Sequence, residues 1–133
     1  MPNTLLHKAQ ALHRAGNIAA ALEAYRDAAL SGDAACRAHC LRHIGDLALT
    51  LGLAAEAEAA LSEAETLYRN TVPNSLALAN TLRLRALLTG APAQWRAAKA
   101  AYHSAAAQTG LDLRAAFDEC DAHLAPDGQA SKD

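Results

Sequence analysis

Four residues in one short stretch carry the side chains of a metal site: Cys36, His39, Cys40 and His43. Their spacing of i, i+3, i+4 and i+7 places them near one face of a helix. Thiolate and imidazole are ligands that zinc accepts. A single helix nevertheless opposes one closed site. From residue 36 to 43 a straight helix rises about 10 Å, whereas zinc ligands converge at about 2.0–2.3 Å. A pair such as His39 with His43 can share an ion. The remaining ligands would have to come from elsewhere, with His7 and His13 the candidates. The order Cys-x-x-His-Cys also differs from the Cys-x-x-Cys-His of haem attachment. The plainer reading makes Cys36 and Cys40 small packing residues, the usual role of a free cysteine.

Other chemistry finds no purchase. The chain has no Gly-rich phosphate loop, nucleophile elbow or His-Glu-x-x-His, so neither an enzymatic activity nor a cofactor is expected. Glu56, Glu58, Glu63 and Glu65 lie in an alanine-rich stretch and read as a solvated helix face. The formal net charge is −2 and the isoelectric point about 6.3. With no basic stripe, the electrostatic footprint of nucleic-acid binding is missing. Three cysteines are too few for a disulfide framework and suit a reducing compartment. Met1 to Gln10 has no continuous apolar core of a signal peptide, and no apolar run approaches the ~18 residues of a membrane span. A cytoplasmic protein is therefore expected, without membrane or nucleic-acid partners.

The elements that would position these residues are helices. Roughly a quarter of the 133 residues are alanine, aromatics make up only 4%, and β-branched residues are scarce. This composition favours helix and disfavours sheet. One domain is expected. Gly16, Gly52 and Gly90 each separate two apolar-periodic segments, as glycines that end a helix in the left-handed conformation do. Leu5, Ala9, Leu12 and Ala15 form the first stripe, answered after Gly16 by Ile18, Ala21, Leu22, Tyr25, Ala28 and Ala29. Leu41, Ile44, Gly45 and Ala48 form the next, answered by Ala57, Leu61, Ala64 and Tyr68. The third runs through Ala79, Leu82 and Ala86, answered by Trp95, Ala98 and Tyr102. Asp33, and Asn74 or Ser75, are the candidate N-caps. Pro73 breaks the chain between the second and third pairs, and Gly110 closes the sixth helix. A seventh helix, with Leu113, Ala116, Phe117, Cys120 and Leu124 on one stripe, is expected to cover an open end. Residues 126–133 read as a polar, frayed tail.

The pairs resemble tetratricopeptide repeats of the small bacterial type. Glycine spacings of 36 and 38 lie close to that family's repeat of about 34 residues. The second repeat carries the pattern best, with Leu41, Ile44-Gly45, Ala48, then Ala57 and Leu61. The first carries Leu5, Ala9, Leu12, then Ala21 and Tyr25, with Lys8 departing from the family's leucine. In the third, Trp95, Ala98 and Tyr102 match Leu61, Ala64 and Tyr68 at an offset of 34, while the glycines differ by 38. About one helical turn is therefore missing after Gly90. The resemblance implies an all-α fold: an α-solenoid of three helix-turn-helix pairs (repeats of about 3–32, 34–70 and 75–109) plus a capping helix over 111–124. It also implies a right-handed superhelix with a concave groove, lined by the first helix of each pair, that binds peptides or protein surfaces.

Carried over residue by residue, the groove face holds His7, Gln10, His13 and Arg14 from the first pair. The second pair gives His39, Arg42, His43 and Asp46, and the third gives Asn80, Thr81 and Leu84. Four of six histidines fall on this surface, where they can donate, accept and titrate. Arg14 and Arg42 suit a partner with an acidic or carboxylate-bearing segment. The family's lysine–asparagine clamp for a C-terminal carboxylate is unsupported, because its positions in the first pair hold Leu6 and Gln10. The bland alternative is a solvated polar face. Two rival functions stay open: self-association through alanine-rich faces, and metal binding by the histidine–cysteine cluster. Trp95 aligns with Tyr25 and Leu61 and is expected in the core.

Overall fold

The computed structural model describes residues 2–125 of the chain, and those residues form seven helices and no strand. They are α1 (Pro2–Arg14), α2 (Ile18–Ala29), α3 (Ala34–Thr50), α4 (Ala54–Thr71), α5 (Leu76–Thr89), α6 (Pro92–Thr109) and α7 (Arg114–Leu124). The tail expected over 126–133 lies outside the described residues. The chain divides after Pro73 into two compact units. In the first, α1 packs on α2, α2 on α3 and α3 on α4; in the second, α5 packs on α6 and α6 on α7.

The hairpin turns follow from glycine, but by two different motifs. Gly16 adopts φ 79° and Gly52 φ 77°. Gly16 N–H donates to the His13 carbonyl and Asn17 N–H to that of Leu12, both at 3.0 Å. Gly52 N–H donates to Leu49 and Leu53 N–H to Ala48, at 3.2 and 2.8 Å. These paired bonds are Schellman motifs, which satisfy two orphan carbonyls per helix end. In the second unit Gly90 and Gly110 make a single bond each, to Ala86 and Ala106 at 2.8 Å, the simpler left-handed cap. Asp33 caps α3 by accepting from Cys36 N–H at 2.9 Å, and of the two candidates before α5 it is Ser75 that accepts, from Leu78 N–H at 3.1 Å.

The second helices supply the large core side chains. Tyr25, Leu61, Trp95 and Tyr102 are almost wholly buried. Against Leu61 stands Gly45, where any Cβ would overlap the leucine side chain. The glycine thus permits close approach of α3 and α4. The helix starts differ by the turn that the spacing after Gly90 lacks. Tyr25 and Leu61 are the eighth residues of α2 and α4, while Trp95 is the fourth of α6, which opens with Pro92 at its first position.

Two features of the expected core change. Leu5 is 37% exposed, and among the side chains described in α1 only Ala9 is buried. In α5 the buried set widens to Leu78, Ala79, Thr81, Leu82, Leu84 and Ala86. That arc exceeds a single stripe, so α5 is enclosed on more sides than its expected apolar stripe allows for. The Glu56, Glu63 and Glu65 carboxylates are also more than a solvated face. Arg26 of α2 grips Glu56 of α4 with two bonds of 2.7 and 2.5 Å. Arg37 of α3 holds Glu63 at 2.6 Å and donates to the Ala29 carbonyl at the end of α2, at 3.1 Å. Arg69 pairs with Glu65 one turn away at 2.9 Å.

Candidate binding face on the first unit

The end of α1, the middle of α2 and the middle of α3 bring three of the expected face histidines around one tyrosine. His43 lies flat on Tyr25, with ring centroids 4.9 Å apart and planes 9° from parallel. His13 meets Tyr25 edge-on at 6.3 Å and His43 at 5.7 Å. His39 meets His43 at 4.5 Å. Tyr25 was legible as a core residue, but its role as the platform for this cluster was not, since stacking partners 18 residues apart leave no periodic signal.

Burial sets the electrostatics of the cluster. It pushes His43 down to about 3, reinforced by the charges of Arg42, His39 and His13. His39 is pushed down as well, by burial first and Arg42 second. Both rings are therefore neutral near pH 7, where each offers one donor and one acceptor. The Tyr25 hydroxyl is pushed up by burial and by Cys40, and pulled back by the nearby Arg42 and Arg14 charges. His39 Nε2, His43 Nδ1 and Arg42 Nε are shielded from solvent yet have no hydrogen-bond partner among the described residues. Such groups cost free energy when left unmet, on the order of 1–3 kcal/mol each.

The other expected face residues separate into two groups. In the first unit Gln10 and Asp46 are half-buried beside the cluster helices, and His7 and Arg14 are exposed. In the second unit the expectation fails for Leu84, which is 6% exposed and belongs to the core, and for Thr81, which is fully buried and donates to the Ala77 carbonyl at 2.8 Å. Both lie on the widened buried arc of α5. Asn80 is half-buried and accepts from the Tyr102 hydroxyl at 2.7 Å.

The cysteines play a quieter part. All three are free thiols, with Cys40 and Cys120 buried and Cys36 half-buried. Burial, with Cys36 close by, pushes Cys40 up to about 12, and burial raises Cys120 too. These thiols stay protonated, whereas nucleophilic attack and metal ligation both need thiolate. Among the described residues no three His, Cys, Asp or Glu side chains come together as a metal site, and no helix is long and apolar enough to cross a membrane.

Compared with protein-family models, with curated proteins and with solved structures, the chain matches none.

Proposed function

We propose that the chain is a non-enzymatic protein-binding module of the tetratricopeptide kind, a right-handed superhelix whose first helices present the binding surface. The α1 and α3 faces are the portion of that surface in the first unit. The single observation that supports this most is the polar cluster of His39, Arg42 and His43. A helix that needed only solubility would place freely hydrated side chains there. Instead α3 holds two neutral imidazoles and a guanidinium half-buried, with unmet hydrogen-bonding capacity on each. Buried polar groups left unmet call for an explanation, and a ligand that completes them is one that fits this face.

Affinity capture from lysate with the wild-type chain and with the His39→Ala/Arg42→Ala/His43→Ala variant tests the reading. A protein retained by the wild type and lost by the variant, with equal far-UV circular dichroism for both, is the expected result. Identical retention by the two would overturn the assignment of the face. Collapse of the dichroism would make the three residues structural.

A further inference from the structure

We infer that the face formed by α1 and α3 takes a carboxylate-bearing segment of a partner protein, gripped by Arg14 and Arg42. The inference deepens the protein-binding reading above and rests on it.

The first unit holds five arginines, and three have internal carboxylate partners: Arg26 with Glu56, Arg37 with Glu63 and Arg69 with Glu65. Arg14 and Arg42 have none among the described residues. They are also the arginines on the face in question. Charge is sorted by helix in the same sense. Helices α1 and α3 carry Lys8, Arg14, Arg37 and Arg42 against one carboxylate, Asp46. Helices α2 and α4 carry six carboxylates against Arg26 and Arg69. The α1/α3 face is thus cationic on a chain whose formal net charge is negative, in contrast to the acidic α2 and α4 of the same unit.

Arg14 adjoins His13 and Arg42 adjoins His43, and those two histidine rings meet edge-on at 5.7 Å. Both guanidinium groups bear electrostatically on the Tyr25 hydroxyl, one from the end of α1 and one from the middle of α3. The same two helices carry His13, His39 and His43. The neutral His39 and His43 add donors and acceptors without adding charge. Attraction for an anion therefore falls to the arginines, whose planar fork meets both oxygens of a carboxylate. Arg42 is half-buried, which strengthens such a pair relative to one in open water. The chain already contains an example of this grip. In the second unit Arg83 of α5 is held by both oxygens of Glu119 from the docked helix α7, at 2.5 and 3.0 Å.

Fluorescence anisotropy with labelled probes tests the inference on the full chain. One probe is a peptide of alternating glutamate and serine; the second has glutamine for glutamate; the third is a single-stranded oligonucleotide. The glutamate peptide is expected to bind, more weakly as salt rises, and the glutamine peptide to fail. Arg14→Ala/Arg42→Ala is expected to weaken binding at least about tenfold, and Arg42→Lys to recover only part of it. Arg26→Ala, on the opposite pair of helices, is expected to leave the affinity unchanged. Equal binding of the two peptides, or an unaffected double variant with native dichroism, overturns the inference. So does oligonucleotide binding as tight as that of the glutamate peptide, which would mark a general polyanion surface. If the glutamate peptide fails while α3-dependent capture persists, the acidic-partner inference falls alone and the protein-binding reading stands.

Discussion

In the second unit Arg83 and Lys99 are each met by a carboxylate of the final helix, Glu119 and Asp121, and the rings of Trp95 and His103 are covered by His123 and Phe117 of that same helix. Among the described residues of the first unit Arg14 and Arg42 have no carboxylate partner, and the rings of His13, His39 and His43 meet one another and Tyr25. Both units expose a cationic, ring-bearing surface. One is answered by a helix of the same unit; the other has no such answer among the described residues. In the second unit it is an acidic helix that covers such a surface. The contrast also shows what supplements burial for α7, where only Cys120 is fully buried: two ring stacks, with ion pairs that add about 1 kcal/mol or less each.

The contrast can be broken hardest by removing the anchor of the second unit. Trp95 is 1% exposed and stacks on His123 at 3.9 Å. Trp95→Ala should cost about 4 kcal/mol, and hydrogen exchange should show the loss in α5–α7 while the α1–α4 amides keep their protection. Simultaneous loss in both would mean that the two units unfold as one. The counterpart in the first unit is Gly45→Leu, which drives a side chain into Leu61. A destabilisation of about 3 kcal/mol is expected in urea titration, and tolerance would show that α3 and α4 need not approach so closely.

Acid should separate the units more gradually. His43 is held neutral in the fold, with its pKa lowered to about 3, whereas in the unfolded chain it titrates near 6.5. Its contribution is therefore complete above about pH 6.5 and is lost as pH falls toward 3, because the unfolded state takes up the proton first. The loss should be several kcal/mol, with about 5 kcal/mol as the ceiling, and should be read in the amides of α1–α4, where His43 sits. His43→Phe should flatten the slope of stability between pH 6.5 and pH 4; an unchanged slope would move its origin elsewhere. The smallest effect is expected from Glu119→Gln. A half-exposed pair is worth about 1 kcal/mol or less, so only the α7 amides should exchange faster, and added salt should mimic the change in the wild type.

Much of this architecture was written in local spacing. The left-handed glycines, the Asp33 and Ser75 caps, the core of the α3–α4 pair and the shortened start of α6 all follow from residues within a few turns of one another. Leu84 and Thr81 did not, because periodicity along α5 marks one stripe and is silent about how far burial extends around it. The pairing of Arg26 with Glu56 and Arg37 with Glu63 was hidden for a related reason: the partners are 30 and 26 residues apart, and their charges look like ordinary surface chemistry until the helices are set side by side. The candidate face was half legible. Placing His13, His39, Arg42 and His43 on first-helix faces needed only the repeat pattern. That His13 and His43 would meet on Tyr25, and that burial would lower the proton affinity of His39 and His43, needed the fold.

The segment from Thr71 to Asn74, exposed along its length and joining two separately compact units, has a consequence for how the protein can be rebuilt. Backbone that is uncovered and outside any packed layer accepts cuts and insertions at little cost. Among the described residues a protease should nick the chain there first, and a foreign domain or a new pair of termini should be tolerated there. The two halves could then be expressed, labelled and recombined as separate pieces.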